Sequence, residues 1–272
     1  ITTLRFEAPT APERGGRVFG GQFLAQAVCA AQTTLPTDGR SIHSLHAYFL
    51  RPGDVDQKTI YNVTVIRDGR TFSVREIQAQ QRDKELFRMT ASFTPPTAGL
   101  SYAARSMHDV PSPEETNYTH DDFSRDMGRS NETQWDGGTR PYEILYINPP
   151  NRERGIPVVD DQLMWMRVAD DLTPEPVHHE AGLAYLSDST LIDHVLLPHG
   201  MRWQDQNFDG TSLDHVMWFH QKTRADQWLL FEQSVEWTGS GRGLASGRFY
   251  DQDGQLVASC AQEGLMRWRD NV

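Results

Sequence analysis

Asp188 stands where a carboxylate is least expected. In the stretch from His179 to Leu197, HEAGLAYLSDSTLIDHVLL, the residues Ala181, Ala184, Tyr185, Leu191, Ile192 and Val195 recur at helical spacing. That spacing marks one face for burial, and Asp188 falls in the middle of it. A buried carboxylate must be hydrogen-bonded, because an isolated charge in an apolar setting is costly. Two readings follow. Asp188 is a proton acceptor held in a site, or Ser187 or Asp188 caps a second, shorter helix by accepting backbone N–H bonds.

Other reactive residue types are sparse. No GxSxG elbow offers a serine nucleophile, and the serines nearest to histidines lie in strand-like runs. Cys29 and Cys260 sit in apolar segments without a CxxC, so they read as buried free thiols. No HExxH occurs, and the adjacent His178 and His179 suit a helix start better than a chelate, so no metal or redox cofactor is expected. Gly20-Gly21 precede an Ala-rich helical run, FLAQAVCAAQ. Two glycines there allow close backbone approach, and free N–H groups at a helix start can bind an anion or polarise a carbonyl.

The elements that must position these groups come in two similar sets. After an irregular lead-in over 1–16, the Gly20 helix is followed by strand-like runs at Ile42–Leu50, Ile60–Arg67, Thr71–Gln80 and Leu86–Phe93. Proline-rich and acidic sequence then forms a connector reaching Gly137-Gly138. Strands at Tyr142–Ile147 and Gln162–Val168 lead to the helix carrying Asp188. The first pattern then returns: Ser212–His220 parallels the run from Ser44, Trp228–Trp237 parallels the second strand, and Leu256–Glu263 parallels Leu86–Phe93. Each set is a helix laid on a curved antiparallel sheet, an α+β unit. Paired as a pseudo-twofold, the two would hold ligands where they meet.

At 272 residues the chain is one large domain or two ordinary ones, and a 38% hydrophobic fraction suffices for a core. A net charge of −11 argues against nucleic acid as a partner. No apolar run approaches the roughly 18 residues of a membrane span. The chain opens on Ile1, so its natural start is expected upstream.

Val18-Phe-Gly-Gly-Gln22, the run His43–Asp54, Arg67-Asp-Gly69 and Met89–Phe93 resemble the N-terminal half of acyl-CoA thioesterase II, while Leu213–His220 and Ala261–Met266 resemble its C-terminal half. The resemblance runs from about residue 17 to residue 268. It implies a double hotdog fold: an N-terminal module over 1–100, a connector over 101–138 and a catalytic C-terminal module over 139–272. It implies hydrolysis of fatty acyl-CoA to fatty acid and CoA by an Asp/Ser/Gln trio, Asp188, Ser212 and Gln262, without a covalent intermediate. Thr211 is an alignment rival to Ser212. It also suggests that Gly20 and Gly21 line the substrate passage, with Arg51, Arg67, Arg70 and Arg75 as a basic rim for CoA phosphates, and that the chain forms a homodimer or homotetramer. Asp214 and His215 are expected to pair locally, and His46 to be a core or interface histidine. The C-terminal Arg269–Val272 is not a peroxisomal ending, which favours the cytoplasm. The alternatives are a non-catalytic acyl-CoA-binding protein and a hotdog hydratase or dehydratase; no D-x-N-P-x-H stretch supports the latter.

Overall fold

In the computed structural model, residues 2–11, 17–126, 140–150, 153–202 and 208–268 are described. Gly137, Gly138 and the Arg269–Val272 ending lie outside them. The first half contains β1 (Thr3–Ala8), α1 (Gly20–Gln32), β2 (Ser41–Phe49), β3 (Thr59–Asp68), β4 (Ser73–Gln81) and β5 (Lys84–Thr94). A short α2 (His120–Asp126) precedes β6 (Tyr142–Tyr146) and β7 (Gln162–Val168). Then come α3 (Pro176–Ser187), a 3-10 segment (Leu191–His199), β8 (Phe208–Ser212), β9 (Asp214–Phe219), β10 (Leu229–Gly239), β11 (Arg242–Tyr250) and β12 (Leu256–Trp268).

The strands join in one antiparallel sheet ordered β1-β3-β4-β5-β2-β9-β12-β11-β10-β7-β6, with β8 also paired to β12. The order reads almost the same from both ends, which is the duplicated unit expected from the sequence. Its seam is the β2–β9 ladder, centred on His46 opposite Val216. Against this sheet α1 and α3 pack together, α1 burying Phe23, Leu24, Ala27, Val28 and Ala31 and α3 burying Ala181, Leu183 and Ala184. The small alanines let the helix axes approach closely. This is the α+β double hotdog arrangement, a helix pair wrapped by a curved sheet.

Three local readings change. Residues 3–8 are not an irregular lead-in: β1 pairs with β3 along its whole length. It escapes sequence reading because it is a mostly exposed edge strand with no fully buried residue. The expected connector contains α2, and Trp165 Nε1 donates to Pro111 O at 2.9 Å, so its part around Pro111 lies against β7 in the second half of the sheet. Finally, the helical stripe through Asp188 is not continuous. Ser187 and Ser189 hydroxyls bond back to the carbonyls of Ala184 and Leu186, three residues earlier, and α3 stops between them. Such local bonds compete with helix continuation. The apolar residues after the break stay buried in a separate 3-10 segment.

Candidate active site

Asp188 is the residue at which α3 ends, with φ −94° and ψ −5°. It is buried at 8% exposure. Gln262, on β12 and fully buried, donates from Nε2 to Asp188 Oδ1. The backbone N–H of Gly21 donates to the same carboxylate. So Asp188 caps a helix, but not the one expected. The 3-10 segment is entered through Thr190 without a side-chain cap, whereas the first turn of α1 has no side-chain cap of its own and receives Asp188 from across the helix pair. The N-terminal partial positive charge of α1 favours an anion there.

Gly20 and Gly21 make this approach sterically open. A Cβ on Gly20 would overlap Asp188 Oδ2 and stand 2.9 Å from the Phe49 ring, and one on Gly21 would stand 2.6 Å from the Tyr185 carbonyl. No residue with a side chain fits at either position without displacing the carboxylate or α3.

Burial pushes the Asp188 carboxyl up to about 7, against the lowering effect of the Gln262 and Gly21 hydrogen bonds, and the nearby Asp193 charge adds to the rise. A carboxyl poised there exchanges protons near neutrality, which suits a general base. Gln262 Oε1 has no partner among the described residues, so an acceptor remains beside the carboxylate.

Ser212 ends β8, half-buried, opposite Gly264. Strand alternation puts Gly264 on the same face of β12 as Gln262, and Ser212 with it. Thr211 is opposite Leu265, on the other face, and exposed. The structure thus brings Asp188 and Gln262 into contact and sets Ser212 on their side of the sheet.

Several expectations are corrected. Arg75 is not on a basic rim. It is fully buried, donating from Nε to Thr34 Oγ1 at 2.7 Å and through its guanidinium to Thr34 O, Arg67 O, Val74 O and Asp68 Oδ1. Its place in β4 alternation points it inward, where it ties the end of α1 to the β3–β4 hairpin. Arg51, Arg67 and Arg70 are exposed. Asp214 and His215 do not pair, because neighbours in a strand face opposite ways. Asp214 accepts the Glu263 N–H at 2.8 Å, while His215 is buried against Ser187 Oγ at 2.9 Å, its imidazole pushed down to about 3 by burial. His46 is exposed on the outer face of the seam, edge-on to Trp218, so it belongs to the module interface and not to the core. The contribution of Gly21 was visible in the sequence as a helix start able to bind an anion; that the anion is Asp188 required the fold.

A pair of helix-wrapping modules fused into one sheet, with a buried carboxylate at their junction, defines the double hotdog class. The comparisons narrow this. Models of the acyl-CoA thioesterase N-terminal and C-terminal domains match residues 8–94 and 114–266. The chain is 36% identical to acyl-coenzyme A thioesterase 8 of Mus musculus over 94% of its own length and 82% of that protein. It is 33% identical to acyl-CoA thioesterase 2 of Haemophilus influenzae over 93% and 89%. The crystal structure of acyl-CoA thioesterase II TesB2 from Mycobacterium marinum superposes with a TM-score of 0.78 at 30% identity, covering 98% of this chain and 93% of that one. The chain belongs to the acyl-CoA thioesterase family.

Proposed function

We propose that this protein hydrolyses fatty acyl-CoA to a free fatty acid and CoA through a water activated by Asp188. The carboxylate takes a proton from water as the oxygen adds to the thioester carbonyl. The tetrahedral intermediate then collapses with cleavage of the C–S bond, and the departing thiolate recovers the proton from Asp188. Gln262 holds the carboxylate through Nε2 and offers Oε1 to the water, and Ser212 is the third hydrogen-bonding group. No covalent intermediate and no cofactor is required. The observation that carries this reading is the buried Asp188 carboxylate, gripped by Gln262 and the α1 N-terminus and poised near neutrality.

Arg51, Arg67 and Arg70 remain the candidates for a phosphate-facing rim. The same reading divides the chain into modules at 1–100 and 139–272 and carries a cytoplasmic location. It also carries assembly into homodimers or homotetramers, which Tyr48 and Trp218 support by exposing aromatic surface along the seam. The test is thiol release from acyl-CoA esters of graded chain length. Asp188→Asn should lower kcat by about 10³-fold and Gln262→Ala by about 10²-fold, the scale of lost general-base and positioning contributions. Wild-type protein that binds acyl-CoA without releasing thiol would instead establish a binding protein.

A further inference from the structure

A cavity of about 520 Å³ is lined by none of Asp188, Ser212 or Gln262. It opens at the other end of the helix pair, between the start of β2, the start of α3 and the segment after β9. Phe49, beside Gly20, marks the Asp188 end of β2, and Ser41 at its opposite end lines the cavity. Eight residues of strand put the two sites ~26 Å apart.

The position follows from the seam. Its centre, His46 opposite Val216, relates β2 to β9 by a shift of 170 in residue number, so Phe49 answers Phe219. The cavity wall from Phe219 to Arg224 therefore answers the chain leaving Phe49, and the α3 start answers the Gly20 start of α1. The cavity is the counterpart of the Asp188 site, with the chemistry replaced: the same shift puts Ile42 where Ser212 stands, and because Thr90 pairs with His46 as Ala261 pairs with Val216, Ala91 stands where Gln262 does. Neither offers a hydrogen bond from its side chain.

What lines the cavity is instead suited to holding a ligand. Ile42, Leu183 and Phe219 give it an apolar wall. Glu180 is bonded to the Ser41 hydroxyl and the Ile42 backbone through its carboxylate, yet its Oε2 is buried without a partner among the described residues. His179, also in the wall and 5% exposed, has no hydrogen bond at Nδ1 among the described residues and stands 3.9 Å from Asp226 Oδ1 there. At the mouth, Arg224 is fixed by Asp226 at 2.5 Å, whereas Lys222 is exposed. The volume falls in the range of small-molecule sites. A molecule that fits must present N–H or O–H donors to Glu180, an apolar-compatible arm to the wall and an anion to Lys222. A pantetheine arm ending in phosphates has all three.

We infer that this cavity is a second, non-hydrolytic site for free coenzyme A, the thiol product of the reaction. The inference rests on the proposed activity for the ligand's presence, but the site is separate from Asp188. The test is equilibrium dialysis of free CoA against the full chain, with thiol release assayed on the same preparations. Wild type should bind two CoA molecules per chain. Lys222→Glu, at the exposed mouth, and Thr97→Trp, which narrows it, should each weaken one of them by about 10-fold or more, the scale of a lost charge-assisted contact, while hydrolysis at low CoA stays unchanged. A single CoA per chain, or a second one indifferent to both substitutions, overturns the inference. Absent hydrolysis with Lys222-dependent CoA binding would strike the proposed activity and leave this site standing.

Discussion

At the scale of the residue, burial of the Asp188 carboxylate works against folding stability. A carboxyl whose folded-state pKa is raised binds its proton more tightly in the native state than in the unfolded chain. Its contribution is therefore fully present below about 4 and is lost as pH rises through about 7. The loss amounts to as much as about 4 kcal/mol, from a rise of roughly three pH units at ~1.4 kcal/mol each. Asp188→Asn should thus be more stable than wild type at pH 8, by about 1–4 kcal/mol in urea unfolding, with the two converging towards pH 4. A variant less stable than wild type at pH 8 would mean that the carboxylate is not strained by burial. The sequence exposed this residue because a charge interrupted an apolar stripe. It also supplied Ser212 and Gln262, but only through motifs, since neither type is unusual in a strand. Contact between Gln262 and Asp188, 74 positions apart, depends on β12 lying over the end of α3, which no local pattern encodes.

At the scale of the element, two of the four arginines expected on the rim, Arg75 and Arg70, play different parts. Arg75→Met removes the buried donor to the Thr34, Arg67 and Val74 carbonyls, while the exposed Asp68 keeps its Ser73 hydroxyl, and should lower stability by about 1–3 kcal/mol, read as a fall in Tm. Arg70→Glu, at an exposed site, should leave Tm within a few degrees and raise KM for CoA esters; an unchanged KM removes Arg70 from the rim. Position in the β4 alternation distinguishes the two, but arginine is so commonly exposed that composition pointed the wrong way. Helix starts show the opposite case. Gly20-Gly21 read correctly as a point of close approach, and Gly20→Ala should cost about 1–3 kcal/mol of stability by overpacking and about 10²-fold in kcat by displacing the carboxylate. The interrupted helix was the harder element, because the apolar spacing persists across the break while Ser187 and Ser189 redirect the backbone.

At the scale of the whole molecule, the duplication was legible as a returning order of elements, but the seam was not. Strands β2 and β9, sequence counterparts, turn out to pair with each other and merge both sheets. That merger is why the Asp188 site belongs to neither half alone: Asp188 and Gln262 come from the second module and the Gly21 N–H from the first. A fragment of residues 101–272 should release no thiol from acyl-CoA, and a fully active fragment would refute the shared site. The most direct measurement of that convergence is the pH dependence of kcat/KM for acyl-CoA hydrolysis in wild type and Gln262→Ala. Wild type should rise with pH and level off around 7, where Asp188 ionises. Because the Gln262 hydrogen bond lowers that pKa, its removal should move the bend to higher pH along with the fall in rate. A flat wild-type profile, or a bend at the same pH in both proteins, would contradict the pairing of Asp188 with Gln262 as the base of this reaction.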